Sequence, residues 1–278
     1  MSYIFRAKEF RTKKKLGQNF LIDKDVIQTI LDTAKIKKDD TIVEIGGGIG
    51  FVTEQLVKFS NNVNVIELDE DAIEMLKKIN SQHLNIIHND ILKTDISKFA
   101  PSGIKIVANI PYYITSPIIA HLLGEIDDLE NKNRQSIKEI IMMVQWEVAK
   151  RIAAKENSGK DFGLLTVLAN FWADVEIIQK VKAKSFYPAP KVDSAIVKFT
   201  IREKPFLNLN DYKFFKKFIQ ASFAQRRKNI KNSLINAGYA KDAVIKALEN
   251  QNINQNTRAE AMTLENLGKL SEELKQQL

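Results

Sequence analysis

The chain has 278 residues, with 42 Lys and Arg against 34 Asp and Glu, a formal net charge of +8 and no cysteine. That length suits one sizeable α/β domain plus a smaller one, and the basic balance suits a partner rich in phosphate, such as nucleic acid or an acidic membrane surface. The missing thiols exclude disulfides, thiolate nucleophiles and zinc–thiolate sites, His83, His88 and His121 lack metal-like spacing, and no run of about 18 apolar residues is present, so a metal-free, soluble, cytoplasmic and monomeric protein is expected.

Residues 1–15 carry Arg6, Lys8, Arg11, Lys13, Lys14 and Lys15 against Glu9 alone, and read as a mobile basic arm. From about 24 to 37 the apolar residues Val26, Ile27, Ile30, Leu31 and Ala34 recur at helical spacing. "TIVEIGGGIG" then turns to a buried strand pattern that breaks into glycines before the helical "FVTEQLVKF". The unit repeats: "VNVIELD", "LNIIHND", "IKIVANIPYY" and "IKEIIMMVQ" read as strands, and "EDAIEMLKKI", "SPIIAHLLGEI" and "WEVAKRIAA" as helices. Such alternation implies a parallel sheet covered on both faces. Residues 125–138 read as a solvated surface connection. A helix, "GLLTVLANFWA", precedes two β-like runs, "DVEIIQKV" and "DSAIVKFTI", which suit a terminal antiparallel pair joined by "KAKSFYPAPKV". Beyond about 205 every segment is helical, including "QRRKNIKNSLINAG", so a boundary near 203/204 is expected, with a small all-helical domain over 204–278.

Glu44-Ile-Gly46-Gly-Gly48-Ile-Gly50 stands at a strand end and before a helix, where glycines let the backbone approach a ligand outside the carboxyl ends of parallel strands. Glu67 lies 21 residues beyond Gly46 at the next strand end, where an acid meets ribose hydroxyls. Phe51 occupies the place of a dinucleotide-binding glycine, so Gly46 and Gly48 suit an S-adenosylmethionine loop better than a nicotinamide one. Asp90 closes the third strand, either as a helix cap or as an acceptor for the cofactor's adenine amine.

"NIPYYITSP" (109–117) follows the next strand. An aromatic amine such as adenine N6 is a poor nucleophile, because its lone pair is delocalised into the ring. The Asn109 side-chain oxygen and a main-chain carbonyl such as that of Ile110, turned by Pro111, suit accepting both amine hydrogens, with Tyr112 stacked on the base. Phe186, on the proline-stiffened "SFYPAP", is a candidate for the second face of an aromatic sandwich.

"KKKLGQNFL", "VEIGGGIGFVTEQL", "VIELD", Asp90, "NIPYYITSPI", "MVQWEVAKRI", "FYPAPKVDSAIV" and "FAQRRKNIKNSL" together resemble the ribosomal RNA adenine dimethyltransferases, in order along nearly the whole chain. The likeness is closest to the KsgA/RsmA type that modifies small-subunit (16S) rRNA. It implies a class I Rossmann-like S-adenosylmethionine-dependent methyltransferase domain over 1–203 and a helical rRNA-binding domain over 204–278. It implies transfer of two methyls to each of two adjacent adenosines near the rRNA 3′ end. The family's cofactor residues fall on Asn19, Leu21, Gly46, Glu67, Asp90 and Asn109, and its base-stacking aromatics on Tyr112 and Phe186. The family's usual proline is Gly47 here, which is expected to loosen the loop, and "NDIL" replaces a more usual glycine-Asp-alanine run.

Between Tyr212 and Asn236 the cations Lys213, Lys216, Lys217, Arg226, Arg227, Lys228 and Lys231 meet no acid, which suits a phosphate-tracking RNA face. Alternatives are an Erm-type large-subunit rRNA methyltransferase, a non-catalytic ribosome-assembly factor and, more weakly, an N6-adenine DNA methyltransferase. "KLGQNFL", "PYYITSPI" and "QRRKNIKNSL" favour the small-subunit enzyme over the Erm type.

Overall fold

The computed structural model describes residues 3–155, 161–225 and 227–278, with Lys14 described by its backbone alone. The chain begins with α1 (Tyr3–Glu9), β1 (Phe20–Leu21), α2 (Lys24–Ala34), β2 (Thr41–Ile45) and α3 (Thr53–Phe59). It continues with β3 (Asn62–Glu67), α4 (Glu70–Leu76), β4 (Leu84–His88), β5 (Ile104–Asn109), α5 (Thr115–Leu123) and α6 (Lys132–Ser136). Next come β6 (Ile137–Gln145), α7 (Trp146–Ile152), α8 (Leu164–Trp172), β7 (Ala173–Val181), β8 (Phe186–Tyr187) and β9 (Ser194–Ile201). The helices α9 (Tyr212–Phe223), α10 (Ile230–Asn236), α11 (Lys241–Asn250) and α12 (Leu264–Gln276) follow.

Seven strands form one sheet in the order β4-β3-β2-β5-β6-β9-β7. The pairs β2/β3, β2/β5, β3/β4 and β5/β6 are parallel, and β9 runs antiparallel to β6. Ile42, Val43 and Ile45 of β2 and Val63, Val65 and Ile66 of β3 are all buried, as a sheet covered on both faces requires. Strand order reverses at β2 and β5, so the loops after these strands flank the crevice where open α/β sheets hold ligands. Toward the opposite end of β5 the buried Lys105 ammonium meets Asp40 at 2.9 Å and Glu139 at 3.3 Å, and donates to the Ala34 and Lys35 carbonyls ending α2. Lys198 on β9 completes the cluster, 2.8 Å from Glu139.

Four local expectations are revised. The basic arm is anchored: α1 buries Ala7, stacks Tyr3 on Phe51 with ring centroids 4.1 Å apart, and ties Arg6 to Glu54 at 2.6 Å. Arg6 and Lys13 meet acids supplied from elsewhere in the sequence. Residues 20–21 and 186–187 pair as a separate two-stranded antiparallel sheet, Phe20 with Tyr187 and Leu21 with Phe186. The 125–138 connection contains α6, capped by Asn131, with Arg134 buried and its guanidinium donating to the Leu123 carbonyl at 2.7 Å. Finally, α10 starts only at Ile230, because the Asn229 side chain caps it by accepting from the Asn232 N–H.

The chain separates into two compact units. The first comprises Met1–Gly124, Glu130–Ala149 and Asp174–Ile201 and carries the sheet. The second takes Arg202–Leu278 together with Glu125–Leu129 and Lys150–Ala173, so its membership is broader than a division at 203/204. Within it α9, capped by Asp211, buries Phe215, Phe218 and Ile219, and Phe215 lies 6.0 Å from Phe171 of α8. No described helix is long and apolar enough to cross a membrane.

Candidate functional site

The first unit contains a cavity between the glycine loop after β2, the end of β3, the end of β4 and the loop after β5, with residues 16–21 along another wall. Asn19, Leu21, Gly46, Gly48, Glu67, Asp90, Asn109, Ile110, Pro111 and Tyr112 all line it. Residues spread over nearly a hundred positions converge because β2, β3, β4 and β5 are parallel neighbours, and each places its carboxyl end on the same sheet edge.

The loop geometry explains its composition. Gly46 and Gly48 have φ values of 77° and 54°, a region L side chains rarely adopt. A Cβ on Gly46 would stand 3.3 Å from the Asn109 carbonyl, and one on Gly48 3.1 Å from the Phe20 ring, so both would also narrow the crevice. Glu67 holds the loop in place. Its Oε2 accepts from the Gly48 N–H at 2.8 Å, while Oε1 accepts from Leu68 and Asp69 at 2.8 and 2.9 Å. Oε2, with that single donor, retains acceptor capacity for a ribose hydroxyl.

Asp69 anchors the wall formed by residues 16–21. Its carboxylate accepts from the Lys13 ammonium and, at 2.6 Å, from the Gln18 amide, and it also caps α4. Burial pushes the Asp69 carboxyl upward, but the bonds from Lys13 and Gln18 outweigh it and leave it below the usual range. Asn19 donates to the Gly17 carbonyl at 3.0 Å. Asp90 accepts from the Leu92 N–H at 2.9 Å as a helix cap and also lines the cavity.

Glu44 also lines the cavity and is 3% exposed, with its Oε2 accepting from the Thr53 hydroxyl at 2.6 Å. Burial pushes its pKa up to about 7, the Thr53 bond opposes the rise, and the Glu67 charge adds to it.

Asn109 ends β5 with its side-chain amide unpartnered among the described residues. Such an amide on a cavity wall offers a neutral acceptor and donor to a ligand. Tyr112 is half-buried, and its hydroxyl is 2.6 Å from the Ser194 hydroxyl at the start of β9. Burial pushes the Tyr112 hydroxyl above its usual pKa, against a smaller lowering by Ser194, so the ring is a neutral aromatic surface. Ser194 was legible in sequence only as the beginning of a strand. Tyr113, 63% exposed, lines the cavity too.

Phe186 corrects the sequence expectation. It is 2% exposed within the core that contains Phe20 and Leu21, and it is absent from the cavity wall. The β1/β8 pairing turns its side chain inward and leaves its neighbour Tyr187 partly exposed, so here Phe186 offers no open face for a base.

In the second unit Lys213 and Lys217 are exposed on α9, and Arg227 and Lys228 are exposed before α10. Lys231 donates to the Gln255 side chain at 3.0 Å. Lys216 is already answered by Asp127 at 2.9 Å and Glu125 at 3.6 Å, acids outside the sequence window that held none. Arg226 lies outside the described residues.

A family model described as "Ribosomal RNA adenine dimethylase" matches residues 9–276. The chain is 40% identical over 268 residues to "Ribosomal RNA small subunit methyltransferase A" of Clostridium botulinum (strain Kyoto / Type A2), covering 95% of this chain and 94% of that protein. The Shouchella clausii protein of the same name is 40% identical over 282 residues, covering 98% of this chain and 92% of its own. Among solved structures, a dimethyladenosine transferase from Plasmodium falciparum aligns with a TM-score of 0.76 at 26% identity, covering 92% of this chain and 97% of that one. The 23S rRNA methyltransferase ErmE aligns with a TM-score of 0.72 at 27% identity, covering 92% and 100%. With the family model matched over residues 9–276 and the bacterial relatives over almost the full length, the chain belongs to the ribosomal RNA adenine dimethylase family.

Proposed function

We propose that this protein dimethylates N6 of two adjacent adenosines in the 3′-terminal hairpin loop of small-subunit rRNA, with S-adenosylmethionine as donor, during small-subunit biogenesis in the cytoplasm. The observation that carries this reading is the unpartnered Asn109 amide facing a cavity shared with the glycine loop, Glu67 and Asp90. The names of the bacterial relatives support the choice of subunit.

The cavity fits the cofactor: acceptors at Glu67 and Asp90 suit ribose hydroxyls and an adenine amine, Gly46 and Gly48 leave room for close backbone approach, and Asn19 and Leu21 form the wall that covers it. When bound, S-adenosylmethionine supplies an electrophilic sulfonium methyl. Asn109 Oδ1 and the Ile110 carbonyl accept the two N6 hydrogens, which favours the pyramidal amine and aims its lone pair outward. Pro111 fixes the turn that presents this carbonyl, and Tyr112 stacks on the adenine. As the N–C bond forms, the amine becomes strongly acidic and releases a proton to water, so no strong base is needed. The cations Lys213, Lys217, Arg227 and Lys228, with Lys231 and Arg226, contribute RNA phosphate contacts. A target adenine leaves its stack at a cost of a few kcal/mol, which stacking on Tyr112 offsets.

Mass spectrometry of both rRNAs after incubating unmodified subunits with the protein and S-adenosylmethionine tests the proposal. Four methyls on two neighbouring small-subunit adenines are expected. Methyls on one large-subunit adenine would assign the Erm-type reaction, and cofactor binding without methyls on either rRNA would favour an assembly factor.

A further inference from the structure

Trp146 stands where β6 ends, three residues beyond Met143, the partner of Asn109 in the β5/β6 register. Its ring is partly exposed, and the Lys180 ammonium lies 4.8 Å from its centroid. Lys180 and Lys182 share a single carboxylate, Asp193, each at 3.3 Å. Across residues 180–193, Lys180, Lys182, Lys184 and Lys191 are all exposed, and Asp193 is the one acid in that stretch of sequence. The main chain links this rim to the candidate site. The Trp146 N–H donates to the Asp193 carbonyl at 3.0 Å, and the next residue, Ser194, bonds the Tyr112 hydroxyl at 2.6 Å.

A planar aromatic beside several exposed cations, with too little acid to neutralise them, is the chemistry that holds single-stranded nucleic acid. From this arrangement we infer that Trp146 is a second base-stacking platform, which receives a nucleotide neighbouring the target adenine while Lys180, Lys182 and Lys184 take its flanking phosphates. The site rests on the rRNA reading above and extends it from one base to two. An arriving phosphate takes over at least one of these lysines from Asp193, since one negative charge cannot neutralise two ammonium groups. Because Asp193 and Ser194 are consecutive, a nucleotide at Trp146 and a target base at Tyr112 are gripped by one rigid stretch of backbone.

The test is steady-state methylation of unmodified small subunits by Trp146→Ala, Trp146→Phe and the double variant Lys180→Ala/Lys182→Ala. For Trp146→Ala, KM for the subunits is expected to rise roughly tenfold, with KM for S-adenosylmethionine and the melting temperature unchanged. Trp146→Phe is expected to recover most of the loss, and the double lysine variant to flatten the dependence of KM on salt. Unchanged subunit KM in Trp146→Ala overturns the platform. So does an equal loss in Trp146→Phe accompanied by a lower melting temperature, which marks a packing role. Failure of the wild-type protein to methylate either subunit would instead remove the rRNA reading itself.

Discussion

At the scale of single residues, the site divides into groups already engaged and one held open. Asp69 and the Oε1 of Glu67 are filled by strap or backbone donors, whereas the Asn109 amide has no partner among the described residues. Asn109→Ala is therefore expected to lower the methylation rate by roughly 100-fold or more while RNA binding and the melting temperature hold; wild-type turnover would dismiss the catalytic assignment. Glu44 is engaged in another way. Its pKa stands above its ordinary 4.5, at about 7, so the native state keeps a proton that the unfolded chain loses. The stability this contributes is fully present below pH 4.5 and is lost as pH rises through about 7. Glu44→Gln should then be more stable than wild type above neutrality, by up to about 3 kcal/mol, with the two converging in acid, as denaturant melts across pH would record. Gly47 offers a third case. A Cβ there would sit 2.5 Å from Val65 Cγ1, a stiff branched side chain in a buried strand, so Val65 fills the space a side chain would need. Gly47→Ala is expected to destabilise by about 1–3 kcal/mol, and adding Val65→Ala should recover part of it. Full stability in Gly47→Ala alone would show that the strand yields instead.

At the scale of elements, the sheet was readable because each strand is a local apolar run ended by a polar or glycine punctuation. The Gly46–Gly48 loop, Glu67, Asp90 and Asn109 were readable as strand-end residues for the same reason. What could not be read came from pairings distant in sequence. Two-residue strands carry no periodicity, so nothing in "NFL" or "SFYPAP" announces that Leu21 pairs with Phe186, and Phe186 looked like a loop aromatic although it is core. Arg134 looked solvated until the Leu123 carbonyl supplied its partner. Lys105 likewise sits mid-strand in "IKIVAN", and only the fold reveals Asp40, Glu139 and the end of α2 around it. That cluster ties α2, β5, β6 and β9 together. Truncating Lys105 removes the ammonium facing Asp40 and leaves Glu139 with Lys198 alone, so Lys105→Ala is expected to lose about 3–5 kcal/mol; a change under about 1 kcal/mol in urea unfolding would mean the cluster behaves like a surface pair.

At the scale of the whole molecule, net charge overstates the cations available to RNA, since Lys216, Arg6 and Lys13 are each answered by an acid. Those free to track phosphate include Lys213, Lys217, Arg227 and Lys228. Subunit binding should therefore weaken steeply with salt, and each of Lys213→Ala, Lys217→Ala and Arg227→Ala should reduce the slope of log K against log salt by roughly one. Lys216→Ala should leave that slope nearly unchanged and lower the melting temperature. A slope insensitive to the Lys213, Lys217 and Arg227 substitutions would move the RNA face elsewhere.

The short β1/β8 pairing also bears on how the chain tolerates cleavage. Lys24 is an exposed tryptic target just beyond β1, and residues 16–21 are at once a wall of the cavity and the partner of Phe186. A nick that releases this segment would leave the glycine loop and Asn109 intact in sequence, yet strip one side from the cavity and bare a core phenylalanine. Loss of the first twenty-odd residues would thus inactivate the enzyme with every strand-end residue still in its chain, and a ligand in the cavity would be expected to slow the cut.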